Sequence, residues 1–262
     1  MGINSHTFQP DLSITTWRDV MDHIYDMAIL PWGATEPHNY HLPYLTDCYI
    51  SKSLAVDAAN KLFANRHHKV MVLPPVSFGQ QNIGQFKLPF CVHTRYQTQY
   101  AILRDWVESL SKQGFNKLLI LNGHGGNSFK NMVRDLAFDY PNFLIVVSDW
   151  FAITPPPNLF VHAGEHACEV ETSFMLHYYP ELVRMEVAGT GESLPFKSEE
   201  LNKKTGWTPR DWSAVSKDTG IGNPAEATAE KGKIYSKVIT DRIEKLLYEL
   251  ISDNIYYTTL KL

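Results

Sequence analysis

What this sequence lacks narrows its biology before any motif is read. Its 262 residues hold three cysteines, Cys48, Cys91 and Cys168, an odd number with no pairing pattern. With no secretory signal, that usage predicts a reducing compartment, and a cytoplasmic location is the expectation. Positive charge is not in excess: 24 Lys and Arg against 28 Asp and Glu leave a net charge of −4, which gives no reason to expect nucleic acid or an anionic membrane as partner. No apolar run approaches the ~20 residues that span a bilayer, and the opening M-G-I-N-S-H lacks the Ser or Thr that a myristoylation site wants. Internal repeats and low-complexity tracts are absent. The one glycine-rich turn that follows a strand-like run meets neither the P-loop nor the G-x-G-x-x-G pattern.

What remains is a chain in which strand-like and helix-like patterns alternate. Short apolar runs at 27–31, 69–73, 117–121 and 143–147 predict strands. Apolar residues at helical spacing predict helices over 16–26, 47–65, 94–113 with Gly114 as C-cap, 128–138, 165–178 and 225–251. The last of these should bury Ile234, Val238, Ile239, Ile243 and Leu246. Residues 78–90 read as an excursion near a site, and Pro155, Pro156 and Pro157 enforce a loop. Residues 189–224, carrying Trp207 and Trp212, read as a long irregular segment, functional or at a subunit contact. The alternation predicts one α/β domain over 1–262 with a mostly parallel sheet and helices on both faces.

Histidine and carboxylate concentrate in three stretches. In I-L-P-W-G-A-T-E-P-H-N-Y-H-L-P-Y-L-T-D (29–47), Glu36 and His38 share a face of an extended segment and Asp47 follows nine residues on. Mixed carboxylate and imidazole donors suit zinc, manganese or iron and not calcium. K-L-L-I-L-N-G-H-G-G-N (117–127) is a buried strand ending in a turn that holds His124, at the strand end where α/β sheets place functional groups. H-A-G-E-H-A-C-E-V-E-T-S (162–173) sets His166 and Glu169 on one helical face, with Glu171 about 180° from Glu169, so one glutamate should be solvated. By itself this stretch reads first as a polar helix N-terminus, where acidic residues favour the dipole.

Together these stretches resemble the creatininase (creatinine amidohydrolase) family, whose blocks are a G-x-x-E-x-H-x-x-H-L-P-x-x-T-D loop, an N-G-H-G-G-N turn, an H-A-x-x-x-E-T-S segment and a late G-x-P-x-x-A-T-A-E-K-G. They stand at 33–47, 122–127, 166–173 and 222–232. The resemblance implies a three-layer α/β/α sandwich and a homo-oligomer, a hexamer in the best-known member. It implies two divalent ions, zinc first with manganese or iron as alternatives, one held by Glu36, Asp47 and His124 and the other by His38 and the bridging Asp47. Creatininase itself carries a glutamate where this chain has Gly126, so Glu171 is expected to complete the second site, with Glu169 as the fallback. The family's catalytic histidine matches His166, the proton donor to the leaving nitrogen; His41 matches another and is expected to pack or orient.

Two ions sharing a water lower its pKa and polarise a carbonyl, which implies hydrolysis of an amide C–N bond in a small molecule, such as a cyclic amide. Backbone N–H groups at Gly125 and Gly126 would hold the oxyanion, and Trp150 or the tryptophans of 189–224 would stack on a planar ring. The alternatives are a formamide deformylase of a pyrimidine intermediate, a peptidase, or a non-catalytic metal-binding protein. A Cys168–His166 nucleophile pair is disfavoured, because buried cysteine is usually a small hydrophobe.

Overall fold

Alternate residues of the strands divide the interior in two. Met27 and Ile29, Leu119 and Leu121, and Val70 and Val72 pack to one side; Ala28, Leu30 and Trp32, Leu118 and Ile120, and Met71 pack to the other. Both faces of the sheet are buried, which is why its strands read as continuous apolar runs. The computed structural model describes residues 8–155, 158–162, 164–252 and 255; Pro156 and Pro157 of the proline loop and the N-terminal hexapeptide lie outside them.

The elements are α1 (Trp17–Met21), β1 (Met27–Trp32), α2 (Thr46–Arg66), β2 (Val70–Val72), α3 (Tyr96–Lys112), β3 (Lys117–Asn122), α4 (Lys130–Asp139), β4 (Leu144–Asp149), α5 (Glu169–Tyr178), α6 (Glu199–Asn202), α7 (Trp212–Val215) and α8 (Ala229–Ser252). All four strands pair in parallel in the order β2-β1-β3-β4. Helices α2, α5 and α8 contribute to the core on one face, α3 and α4 to the core on the other, giving the expected α/β/α sandwich. No helix among the described residues is long and apolar enough to cross a membrane. Strand order reverses between β1 and β3, the place where open α/β sheets bind ligands. Trp32, Asn122 and Asp149 stand at one level of the register, so the loops after β1 and β3 emerge side by side.

Four expectations need correction. The helix expected over 16–26 is the five-residue α1, which ends at Met21. Helix α5 begins at Glu169, not 165: Ala167 takes φ 49°, and His166 is drawn into an antiparallel bridge with Ile221. Segment 189–224 holds two short helices, α6 and α7, rather than only loop. The buried stripe of α8 is Gly232, Tyr235, Ser236, Ile239, Thr240, Ile243, Leu247 and Leu250, while Ile234 and Val238 are 45% and 38% exposed. The phase differs from the apolar pattern because hydroxyls are buried: Ser236 donates to Lys233 O at 3.0 Å and Thr240 to Ser236 O at 2.8 Å, which satisfies both.

At Gly232 helix α8 crosses α5 so closely that a Cβ would stand 2.0 Å from Ser173 O. With Thr228 N donating to Ser173 Oγ at 3.2 Å, this accounts for the fourth sequence block, which clamps α5 and supplies no ligand. Gly232→Val is expected to cost at least about 1–3 kcal/mol by overpacking, whereas Ile234→Ser should stay within about 0.5 kcal/mol. Urea unfolding of the two variants measures both.

Candidate metal centre

Two central strands deliver the site. After Trp32 the chain turns at Gly33, where a Cβ would lie 2.7 Å from Cys48 N, and folds back so that Asp47 sits in the first turn of α2, where a carboxylate is favoured by the helix dipole. After β3, Asn122 locks the next turn. Its amide donates to Asp149 Oδ1 (2.8 Å) and His124 O (2.9 Å), and its Oδ1 accepts from His124 N (3.1 Å) and Asn127 Nδ2 (3.0 Å). The two asparagines of N-G-H-G-G-N therefore fix the histidine between them. Gly126 has no room for a side chain: a Cβ would stand 2.1 Å from Gln80 O and 2.5 Å from His124 Nε2. A carboxylate cannot come from that position here.

Three histidines meet two carboxylates in one pattern. His124 Nε2 lies 2.7 Å from Gln80 O, His38 Nδ1 3.0 Å from Glu36 O, and His166 Nε2 2.9 Å from Pro37 O. A carbonyl only accepts, so each of these nitrogens carries the proton and the other offers a lone pair in the neutral ring. Those lone pairs face acids: His124 Nδ1 lies 2.8 Å from Glu36 Oε1 and 3.2 Å from Asp47 Oδ2, His38 Nε2 3.0 Å from Asp47 Oδ1, and His166 Nδ1 3.7 Å from Glu36 Oε1. Glu36 Oε1 and Asp47 Oδ2 are buried and accept no hydrogen bond. Glu171 joins His38 and Asp47, so that Glu36/Asp47/His124, His38/Asp47/Glu171 and Glu36/His38/His166 each bring ligand atoms within 4.8 Å of one another. Converging lone pairs in a buried place require positive charge, and this donor set fits divalent ions.

The titration behaviour says the same. Burial pushes the Glu36 and Asp47 carboxyls up, but the neighbouring histidines outweigh it and hold both low. Burial opposes charge on His38 and His124, yet the carboxylates win, raising His38 to about 9 and His124 well above its usual value. Glu171 is pushed up to about 7 by burial, with Asp47 adding to it. His166 is lowered by burial and by the charge of His38, and stays a neutral base.

Neither glutamate of α5 is solvated, contrary to expectation. Glu169 is fully buried, but away from the histidines, accepting from Val161 N (2.9 Å), His162 N (2.6 Å) and Lys231 Nζ (2.5 Å). His41 orients: its Nε2 is 2.8 Å from Thr172 Oγ1, tying the loop to α5. The buried Cys168 thiol is pushed up to about 11, which leaves it protonated. A cavity of about 130 Å³ opens on Glu36, Asp47, His124, His166, Glu171 and Trp150; Trp212 meets His166 edge-on at 5.3 Å, while Trp207 is 86% exposed. Sequence reasoning missed Gln85, whose Nε2 donates to Glu36 Oε2 at 2.6 Å. It also missed Gln80, whose backbone carbonyl leaves no side-chain signal to read.

The sequence family described as creatinine amidohydrolase matches residues 13–247. The chain is 27% identical to the mycofactocin precursor peptide peptidase of Mycolicibacterium smegmatis, over 91% of this chain and 92% of that one. Among solved structures, one from Bacteroides fragilis NCTC 9343, provisionally called a creatinine amidohydrolase, superposes with a TM-score of 0.93 at 52% identity, covering 95% of this chain and 99% of that one. A mutant creatininase of the Zn-Zn type superposes at 0.76 with 21% identity, over 94% of this chain and 100% of the other, a likeness of fold.

The two glutamates of α5 should respond oppositely in metal-free protein. Glu171 has a folded pKa above its unfolded value, so its ionisation costs stability progressively as pH rises from about 4.5 to about 7. Glu171→Gln should therefore melt higher than the parent at pH 8 and no higher at pH 4. Glu169 is held low, because Lys231 and two backbone N–H groups outweigh burial, and its contribution is present at neutral pH and lost in acid. Glu169→Ala should cost roughly 3–5 kcal/mol at pH 8, the usual result of breaking a buried pair. Thermal melts at the two pH values decide.

Proposed function

The chain belongs to the creatininase family of metal-dependent amidohydrolases, and we propose that it hydrolyses the C–N bond of a small, non-peptide amide at a pair of divalent ions. The observation that carries this reading is the convergence of imidazole lone pairs on two buried carboxylate oxygens without hydrogen bonds. Glu36, Asp47 and His124 would hold one ion, and His38, Glu171 and the shared Asp47 the other. Mixed carboxylate and imidazole donors suit zinc, with manganese or iron as alternatives. When bound, the ions supply a Lewis acid for the carbonyl oxygen and an acidified water as nucleophile.

The remaining chemistry belongs to the chain. His166 donates its Nε2–H to Pro37 O, so Nδ1, 3.7 Å from Glu36 Oε1, is the nitrogen left to act as the base. Its lowered pKa keeps it unprotonated at neutral pH, ready to take the proton lost by water and return it to the departing nitrogen. Gly125, on the cavity wall, offers a backbone N–H toward the developing oxyanion. The small cavity supports a compact amide, a cyclic amide or a formamide, over a folded peptide segment. The homo-oligomer and the cytoplasmic location belong to the same proposal.

Asp47→Ala should empty both sites, and full metal content in that variant would reject the bridging role. His166→Ala should keep its metal and lose roughly 10²–10⁴-fold in turnover, measured across a panel of cyclic amides and formamides. Metal content falling together with activity would make His166 a ligand; equal losses on ordinary amides and on amides with a weakly basic leaving nitrogen would make it an orienting group.

A further inference from the structure

The 82–86 turn is inside out. Ile83 and Phe86 are 50% and 64% exposed, while Gln85 between them is 1% exposed. A chain that leaves two apolar side chains in water to bury an amide is spending stability on that amide's contacts. The turn is held in place: Gly84 takes φ +88° with no room for a Cβ against Asp211 Oδ1 (2.5 Å), and Trp212 N donates to Ile83 O at 2.6 Å. The amide itself has one orientation. Its Oε1 accepts from Asn82 N at 2.7 Å, a group that only donates, so Nε2 is the atom that reaches Glu36 Oε2 at 2.6 Å.

On the metal reading above, we propose that Gln85 is a positioning residue for the ion held by Glu36, Asp47 and His124. Its Nε2–H engages Glu36 Oε2 and so turns the other oxygen, Oε1, toward the His124 and Asp47 ligand atoms as a one-oxygen donor. Oε1 is the oxygen left without a hydrogen bond. A neutral donor is the right one for this task. A lysine or arginine would neutralise Glu36 and compete with the ion, whereas an amide fixes the carboxylate and leaves its charge available. Gln85 also joins two walls of the site, because the turn that holds it is bonded to the backbone of Trp212, whose ring lies edge-on to His166.

The test is Gln85→Met, similar in length and without the donor, with Mn²⁺ and Zn²⁺ affinities read by chelator competition. Hydrogen-bond partners of metal ligands are worth about 10–100-fold in affinity, so one of the two ions should weaken by that factor and the other should not. In a Glu36→Gln background the same substitution should have no further effect, since the contact it removes is already altered. Equal weakening of both ions, undiminished weakening in the Glu36→Gln background, or a lowered unfolding midpoint of the metal-free variant with affinities unchanged would each assign Gln85 a purely structural role and overturn the proposal. Failure of the unmodified protein to bind two ions is a separate result, which would remove the metal reading itself.

Discussion

Everything around the site depends on how three imidazole rings are held. Each gives one N–H to a backbone carbonyl, at Gln80, Glu36 and Pro37, and so is left with one lone pair aimed at Glu36 or Asp47. A buried carboxylate is costly unless its charge is compensated, and here two sit together, each with one oxygen that lacks a hydrogen bond. Only positive charge makes that arrangement tolerable. Protonation of His38 and His124, whose pKa values are raised, turns their lone pairs into N–H donors to the acids; on the proposed reading divalent ions would take the protons' place. The carbonyl partners come from two segments, the loop after β1 at Glu36 and Pro37 and the 78–92 excursion at Gln80, so the rings hold their directions only when both are in place.

The sheet supplies that coincidence. Adjacent parallel strands β1 and β3 end in register, and both following segments are pinned by glycines packed against the start of α2: Gly33 against Cys48 and Gly123 against Asp47 O. The absence of a side chain at Gly126 brings the Gln80 carbonyl to His124. Glu171 comes from the first turn of α5, where the Ala167 backbone N–H donates to it. Position 126 thus makes room for the carbonyl that orients one histidine, and on the proposed reading the acid would be drawn from another element.

Most of this is legible in the sequence, for identifiable reasons. The four strands are buried on both faces and read as unbroken apolar runs. Glu36 and His38 lie on one short loop that ends at Asp47 in the first turn of α2, and His124 sits in the turn at the end of the adjacent strand β3, where an α/β sheet is expected to place functional groups. The half-turn between Glu169 and Glu171 holds even though α5 starts later than its pattern suggests, since both residues lie within the helix. What the sequence hides depends on tertiary cover. Glu169 is desolvated by Lys231 and the 161–162 backbone, which no local pattern announces. The phase of α8 is masked by buried hydroxyls bonded to their own helix. Gln85 is a single amide in a mixed segment, and only the fold brings it to Glu36.

The most direct test of the account is anomalous diffraction from crystals grown with Zn²⁺ or Mn²⁺. Two peaks per chain are predicted, both within bonding distance of Asp47, with His124 and Glu36 at one and His38 and Glu171 at the other, zinc–oxygen distances of ~2.0–2.2 Å, and His166 Nδ1 unbound. No peak, or a single peak that leaves Glu171 unbound and takes His166 as a ligand, would contradict it.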